Sequence, residues 1–327
     1  MMTKVKVCFY NWLDPNYPDF HRDNIFLYIL RKKYEVIIDN ENPDLLFYTL
    51  TTDNLSQYKN CAKIFFTQEP VIYHKKDFKK YYEPHDRFYI SIENCDYMLN
   101  PYYLEGEEYF RFPLYLLYAY QMILDGRLKN FNQLTEVKNY TKKDIEDKKF
   151  CVFMHRNSQT WHKRLEFMNK LSKYKNIDNI SIEGQSFEKC EIIKNYKFAF
   201  AFENNDGRLP SCGIILDWNN WIYFGDENTS EKILEPLVSK TIPLYWGYNK
   251  IHEEFNNKSF INWYDYNDDE KMIEKIIELD NNTELYLEML NQPSILDLSK
   301  SQFNFDEVLE FFEKIVNRIL NNYLIKN

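Results

Sequence analysis

The sequence predicts an α/β protein built from two Rossmann-like halves, and three observations lead to this fold class. Short apolar segments alternate with amphipathic helical segments through most of the 327 residues, as expected for parallel sheets covered by helices. A polar, charged segment at 129–148 separates the two halves. From about residue 268, apolar residues recur at helical spacing and predict a helical tail. We therefore expect domains over 1–128 and 149–327, joined by a linker over 129–148.

The first half contains six short segments that are rich in β-branched and aromatic residues and predict strands. In order, they read VKVCFYNW, EVIID, DLLFYTL, AKIFFTQE, FYISIE and DYMLN. The segments FHRDNIFLYILRKKY and 112–128 carry apolar residues at helical spacing and predict helices. The polar and aromatic segment at 73–87 predicts a surface loop or a short helix.

The second half restarts the alternation with KKFCVFM at 148–154, which predicts its first strand. Helices predicted over about 160–173, 186–195 and 229–239 then alternate with the strands NISIEG, FAFAFEN and IPLYWG. The apolar face of the last helix, at 305–325, has two candidate partners, the same chain or a second copy. A homodimer through the C-terminal helices is therefore one expectation.

Composition narrows the classes of function. The net charge of −9 argues against a nucleic-acid binder, which needs clustered Lys and Arg to neutralise phosphates. No apolar run is long enough to predict a transmembrane span, and the N-terminus shows no signal-peptide core. The six cysteines are scattered without framework spacing and predict free thiols in a reducing cytoplasm. We expect a cytoplasmic protein, with peripheral membrane attachment as the alternative.

The most informative segment is the strand–helix–strand unit at 196–247. Its first strand ends at Glu203 and Asn204, TSEK at 229–232 opens an amphipathic helix, and the second strand stops at Gly247. Strand ends that meet helix N-termini are where α/β proteins hold phosphorylated ligands. The unit therefore predicts a ligand of the nucleotide type.

The polar residues of this unit also have structural explanations. Ser230 followed by an acidic first turn is a common helix cap, and Glu203 with Asn204 can simply end a strand. Lys232 is harder to explain in this way, because a cation in the first helical turn opposes the helix dipole. A bound anion would compensate its charge, which favours a role in binding.

Two further segments end strands with candidate ligand-binding residues. HRN at 155–157 follows a strand and precedes a helix that contains Arg164, and guanidinium groups suit the oxygens of a diphosphate. Glu69 follows AKIFF at the position where open α/β sheets place ligand-facing residues. The alternatives are a surface arginine and a turn carboxylate before Pro70.

Motifs of several other enzyme classes are missing from the sequence. The histidines form no HxxxH or HExxH pattern, and DDE at 268–270 opens a helix instead of following a strand. The sequence contains no GxGxxG, GxxxxGK[ST] or GxSxG. These observations disfavour metal-dependent transferases, dinucleotide dehydrogenases, P-loop NTPases and α/β-hydrolases.

Together, these segments resemble the α-1,3/1,4-fucosyltransferases of glycosyltransferase family 10, and in particular a soluble bacterial-type or viral member. FEN at 202–204, SEK at 230–232 and PLYWG at 243–247 resemble the donor motif of that family. FFTQEP resembles its F-x-T-G-E segment, and DYMLN with RFPLY and KKFCVFMHRN with KRLEF match further runs in the same order. The resemblance covers about residues 60–265.

The resemblance implies a GT-B fold, with a cleft between two Rossmann-like domains, and inverting transfer of L-fucose from GDP-fucose to an oligosaccharide acceptor. It makes Glu69 the catalytic base. It assigns donor binding to Arg164, Glu231, Lys232, Glu203, Asn204 and Asn157. It implies no metal ion and no cofactor besides the GDP-fucose donor substrate.

Two departures from the family pattern keep other functions open. Glu231 follows Glu203 by 28 positions, where the family has a short loop, and Asn228 stands where the family tends to have tyrosine. The first alternative is a GT-B transferase that uses another nucleotide sugar, with the insert 205–228 setting donor choice. The second is a non-catalytic homologue that binds a nucleotide or a glycan.

Overall fold

The computed structural model describes residues 2–10, 20, 22–49, 55–66, 72–74, 77–83, 88–91, 95–101, 106–155, 162–182, 186–203, 221–223 and 229–326. The chain divides into two compact units. The first takes its described residues from Met1–Gln121, Gly207–Gly225 and Asn304–Asn327, and the second from Met122–Asp206 and Asp226–Phe303. Compactness thus groups the predicted linker 129–148 with the second unit and the last helix with the first. The domain limits 1–128 and 149–327 remain a proposal that is based on the sequence.

The described elements follow the alternation that the sequence predicts. The strands are β1 (Lys4–Tyr10), β2 (Glu35–Ile38), β3 (Leu45–Tyr48), β4 (Ala62–Phe66), β5 (Ile72–His74), β6 (Asp77–Glu83), β7 (Phe88–Ser91), β8 (Tyr97–Asn100), β9 (Tyr109–Arg111), β10 (Lys149–His155), β11 (Ile177–Ser181), β12 (Tyr196–Phe202), β13 (Trp221–Tyr223), β14 (Ile242–Trp246) and β15 (Ile261–Asn262). The helices are α1 (Ile25–Leu30), α2 (Leu114–Leu124), α3 (His162–Leu171), α4 (Ser186–Ile193), α5 (Glu231–Val238), α6 (Asp269–Asn281), α7 (Thr283–Leu290) and α8 (Asp306–Lys326). Within these ranges, no helix combines the length and the apolar character needed to cross a membrane.

The first unit contains a six-stranded sheet in the order β2-β1-β3-β4-β8-β9, in which every neighbouring pair is parallel. All four residues of β3 are buried, as expected for a continuous apolar run in the middle of a parallel sheet. Its Phe47 ring stacks on Phe26 of α1 at 5.1 Å. Asn24 caps that helix, because its side-chain oxygen accepts a hydrogen bond from the Leu27 N–H at 3.0 Å.

A four-stranded antiparallel sheet, in the order β13-β5-β6-β7, accompanies the first unit. The prediction of a loop or short helix over 73–87 is therefore wrong for β6 and the end of β5. The local polarity of DFKKYYE hides its aromatic content, which favours paired strands. From the insert 205–228, the structure describes β13, whose Trp221 lies opposite His74 of β5.

The second unit contains a five-stranded parallel sheet in the order β11-β10-β12-β14-β15. Phe198, Phe200 and Phe202 of β12 belong to its core, as predicted, and are 0%, 7% and 0% exposed. Buried residues of α6 and α7 complete the same core. With its two parallel sheets and their helices, the structure confirms the predicted α/β class.

The segment 129–148 is part of the second unit's framework. It forms short 3₁₀ helices at Phe131–Thr135 and Lys142–Asp144. Between them, the Lys138 N–H donates to the Asn291 carbonyl at 2.9 Å, and the Lys138 ammonium donates to the Gln292 carbonyl at 3.2 Å. These contacts explain why a segment that is polar enough to resemble a linker groups with the second unit.

The last helix, α8, packs its apolar face within the first unit. Phe312 is fully buried, and its ring contacts Phe47 of β3 edge to face at 5.7 Å. We predict that Phe312→Ala lowers the free energy of unfolding by about 3–5 kcal/mol, because the lost ring leaves a cavity. Urea denaturation followed by circular dichroism measures this, and exposed Glu310→Ala is the matched control. An unchanged midpoint for Phe312→Ala would contradict the packing.

Candidate active site

The candidate site lies at the carboxyl edge of the second sheet. Glu203 directly follows β12, and its N–H donates to the carbonyl of Trp246, the last residue of β14, at 2.7 Å. The two strands are parallel, so their carboxyl ends meet at the edge where open α/β sheets bind ligands. Ser230 caps helix α5 at the same place.

Glu203, Ser230 and Lys232 form one hydrogen-bonded network. The Ser230 N–H donates to Glu203 Oε1 at 2.8 Å, and Ser230 Oγ lies 2.9 and 2.7 Å from the two carboxylate oxygens. The Lys232 ammonium donates to Ser230 Oγ at 2.9 Å and to Glu203 Oε2 at 3.2 Å. The anion expected beside Lys232 is therefore supplied within the protein by Glu203.

Helix α5 carries a second charged group, which its Glu231 and Glu235 form with Lys189 of α4. The Lys189 ammonium of α4 is 3.3 Å from Glu231 Oε1 and 3.2 Å from Glu235 Oε1. Burial would raise the pKa of Glu231, but Lys232 and Lys189 lower it to about 2. Burial raises the pKa of Glu235 to about 7, against the opposing effect of Lys189 and with added repulsion from Glu231. At neutral pH, Glu231 is thus a carboxylate, whereas Glu235 is close to the midpoint of its titration.

Arg164 brings a third cation to the cluster. It lies on α3 and is only 4% exposed, with its guanidinium carbon 5.3 Å from the centre of the Phe153 ring of β10. Burial lowers the pKa of Arg164, while the charges of Glu203 and Glu231 raise it. A buried guanidinium that interacts with two carboxylates is held in place before any ligand arrives, and it remains charged at neutral pH.

Gly247 leaves room for the Glu203 side chain. A Cβ atom at Gly247 would lie 2.4 Å from Glu203 Cγ and 2.9 Å from the Tyr245 hydroxyl. The Tyr264 hydroxyl fixes the glycine further by donating to its carbonyl at 2.9 Å. The glycine is therefore required for steric reasons at the end of β14.

We predict that Gly247→Ala displaces Glu203 and destabilises the protein by about 1–3 kcal/mol, because overpacking forces the neighbouring side chains to move. The displaced carboxylate would also lose its contacts to Ser230 and Lys232. Urea denaturation measures the loss, and Asn249→Ala, two residues further at an exposed position, is the control. Equal stability of Gly247→Ala and wild type would contradict this steric requirement.

Of the seven residues predicted for the site, the structure brings four together: Arg164, Glu203, Glu231 and Lys232. Glu69, Asn157 and Asn204 lie outside the described residues. Sequence reasoning missed Lys189 and Glu235, and it marked Gly247 only as the end of a strand and of the PLYWG segment. The spacing of four between Glu231 and Glu235 would have placed both on one helix face, but only the fold shows that Lys189 reaches them. Among the described residues, no group of three or more His, Cys, Asp or Glu side chains could hold a metal ion.

Two family models match the chain. One is described as the alpha-(1,3)-fucosyltransferase FucT N-terminal domain and matches residues 7–118. The other is described as the glycosyltransferase family 10 (fucosyltransferase) C-terminal region and matches residues 223–310. The two matches follow in the order of an N-terminal and a C-terminal part of the same kind of protein.

Two relatives and several solved structures are similar to the chain. The alpha-(1,3)-fucosyltransferase FucT of Helicobacter pylori is 23% identical over 95% of this chain and 66% of its own length. A putative fucosyltransferase R654 of Acanthamoeba polyphaga mimivirus is 24% identical over 54% of this chain and 29% of its own length. The chain thus spans about a third to two thirds of these relatives.

The solved structures confirm the fold. The structure of an alpha1,3-fucosyltransferase with GDP-fucose matches with a TM-score of 0.65 and 20% identity over 97% of this chain and 91% of that chain. An alpha-glucosyltransferase in complex with UDP matches with a TM-score of 0.50 and 12% identity over 96% of this chain and all of that chain. At these identities the likeness establishes architecture, and it confirms the predicted GT-B fold.

Proposed function

The chain belongs to glycosyltransferase family 10, and on this premise we propose that it moves L-fucose from GDP-fucose to a hydroxyl of a glycan acceptor with inversion at C1. The observation that supports this function best is the cluster of Arg164 and Lys232 with Glu203 and Glu231 at the N-terminus of α5. A helix N-terminus with two nearby cations suits a diphosphate. The carboxylates beside them can accept hydrogen bonds from sugar hydroxyls.

In the proposed reaction, Glu69 takes the proton of the acceptor hydroxyl while its oxygen attacks C1 from the face opposite the nucleotide. The C1–O bond to the diphosphate breaks as the new glycosidic bond forms. Positive charge that develops on the sugar ring in the transition state is stabilised by a nearby carboxylate, as in glycoside hydrolysis.

The described residues have distinct roles in this proposal. Arg164 and Lys232 neutralise the charge that grows on the departing GDP, an electrostatic role that a metal ion fills in other enzymes. Glu231 accepts hydrogen bonds from donor hydroxyls. Glu203 and Asn204 shape the donor pocket, and Asn157, two positions after the end of β10 in the sequence, contacts the donor. A reaction without metal ion or further cofactor is part of this proposal.

The proposal is tested by incubating the protein with GDP-fucose and a panel of LacNAc, lacto-N-biose and simple sugar acceptors. We expect a fucosylated product in mass spectra and the opposite configuration at C1 in its NMR spectrum. The same assay in excess EDTA should give the same rate. Retention of the donor configuration, or loss of activity in EDTA, would contradict the mechanism.

Calorimetric titration with GDP-fucose, UDP-sugars and other GDP-sugars separates the proposal from its alternatives. Tighter binding and faster transfer of another nucleotide sugar would favour a GT-B transferase with a different donor. Binding of GDP with neither transfer nor donor hydrolysis would favour a non-catalytic homologue. The insert and Asn228, where the sequence departs from the family, motivate this comparison.

The acceptor, the location and the oligomeric state are also proposals. We propose an oligosaccharide acceptor, no nucleic-acid partner and a cytoplasmic location, with peripheral membrane attachment as the alternative. The five described cysteines are free thiols, in keeping with a reducing compartment. A homodimer through the C-terminal helices stays a prediction, and the packing of α8 within the first unit already uses Val308, Phe312 and Ile315 of its apolar face.

A further inference from the structure

Lys189 connects two carboxylates that lie one turn apart on α5. Its ammonium is within 3.3 Å of Glu231 Oε1 and within 3.4 Å of both Glu235 oxygens. Glu231 and Glu235 are 8% and 3% exposed, and their spacing of four places both on the same face of the helix. The bridge therefore joins a carboxylate of the candidate site to one that is deeper in the fold.

The charges around this bridge nearly balance. Among the described residues of the cluster, the cations Arg164, Lys189 and Lys232 oppose the carboxyl groups of Glu203, Glu231 and Glu235. Three positive and three negative charges sum to zero when all are ionised, so protonation of one carboxylate leaves the cluster at +1. Glu235 interacts electrostatically with Lys189 and Cys190 of α4 and with Glu231 and Lys232 of α5. Arg127, paired with Asp125, contacts Cys190 behind them.

We propose that Lys189 and Glu235 are positioning residues of the donor site: Lys189 holds the Glu231 carboxylate, and Glu235 controls how much of the Lys189 charge Glu231 receives. This inference rests on the proposed function, because Glu231 and Lys232 contact a donor only if the chain binds a nucleotide sugar. When Glu235 is ionised, Lys189 is shared between two carboxylates. When Glu235 is protonated, Lys189 neutralises Glu231 alone.

The consequence for the donor passes through Lys232. The Lys232 ammonium lies 3.9 Å from Glu231 Oε1 and 3.2 Å from Glu203 Oε2. When Lys189 neutralises the Glu231 carboxylate fully, that carboxylate attracts Lys232 less strongly. The charge of Lys232 is then available to the diphosphate. Since burial raises the pKa of Glu235 to about 7, the donor should bind more tightly below this pH and more weakly above it.

The first test measures the dissociation constant of GDP-fucose by calorimetry between pH 6 and pH 8.5, without acceptor. GDP-fucose is the right probe because its phosphates are diesters and lack the monoester ionisation near pH 6. For the wild type, we expect the constant to rise about threefold to tenfold through pH 7. Glu235→Gln, which imitates the protonated form, should bind with the low constant over the whole range. A wild-type constant that does not change with pH, or a pH dependence that survives in Glu235→Gln, would overturn the inference.

The second test removes the bridge. Lys189→Met should raise the KM for GDP-fucose about tenfold and should lower kcat as well, because the Lys232 charge that it weakens also stabilises the leaving group. Lys189→Arg should restore most of the affinity. Lys194→Met, at an exposed site just after α4, is the matched control. The double variant Lys189→Met/Glu235→Gln removes one charge of each sign and so leaves no additional unpaired charge. It provides a folded protein for measurement if Lys189→Met alone unfolds. It should bind weakly at every pH.

The two levels of proposal fail in different ways. A wild-type protein that binds no GDP-fucose contradicts the proposed function itself. A wild type that binds GDP-fucose, beside a folded Lys189→Met protein with unchanged KM, overturns only the role of the bridge.

Discussion

Replacement of Glu69 by glutamine should lower kcat by about 10²–10⁴-fold, the usual contribution of a general base. Glutamine keeps the size of the side chain and can still donate and accept hydrogen bonds, but it cannot take a proton from the acceptor hydroxyl at neutral pH. Since Glu69 acts on the acceptor in our proposal, the dissociation constant of GDP-fucose should stay within about twofold of the wild-type value. Steady-state kinetics and calorimetry measure the two effects separately.

The control for this variant is Glu107→Gln, which neutralises an exposed carboxylate of the first unit. It should keep the wild-type kcat. The pH dependence of kcat should also change in Glu69→Gln, because the fall of kcat at acidic pH reports the protonation of the base. A folded Glu69→Gln protein with wild-type kcat would remove Glu69 from the role of base and leave the donor-site assignments untouched.

Local sequence pattern predicts the parallel sheets well because their central strands are continuous apolar runs. LLFY of β3 is buried at every residue, and YKFAFAF of β12 is buried at six of its seven residues. In both cases the local preference and the burial point to the same element. The bounds of the predicted helices at 160–173 and 229–239 are within a few residues of α3 and α5 for the same reason.

Local sequence pattern carries less information where pairing or packing with distant segments decides the structure. DFKKYYE forms β6 through backbone pairing with β5 and β7, and its polarity alone indicates a surface loop. The segment 129–148 resembles a linker in composition, yet Lys138 bonds to Asn291 and Gln292, more than 150 positions away. Hydrogen bonds across such a separation leave no signal in a local window of sequence.

The same limit separates the residues of the candidate site that could be predicted from the sequence from those that could not. Glu203, Glu231 and Lys232 could be predicted because each lies beside a strand end or a helix start that the sequence marks. Lys189 could not, because it acquires its role only where α4 packs against α5. The sequence also suggested a ligand anion beside Lys232, whereas the fold supplies Glu203 there. A ligand diphosphate must therefore compete with, or rearrange, an existing ion pair.

Because Lys232 belongs to that ion pair, we also expect a large loss of kcat from Lys232→Met. The Lys232 side chain is 19% exposed. It lies in the first turn of α5, where a departing diphosphate would also meet the helix N-terminus. Charge on the leaving group grows toward the transition state, so the ammonium stabilises the transition state more than bound GDP-fucose. Removing such a group from an active site lowers kcat by about 10²–10³-fold.

The variant should nevertheless fold, because Glu203 keeps its hydrogen bonds from the N–H and hydroxyl of Ser230 after the lysine is lost. Lys232→Arg retains the charge and should recover part of kcat, while Lys250→Met, at an exposed position of the same unit, should match the wild type. Single-turnover kinetics at saturating GDP-fucose isolate the chemical step from donor binding. If Lys232→Met slows that step by less than about threefold, the ammonium serves only to hold Glu203 and Ser230, and Arg164 must carry the charge of the leaving group.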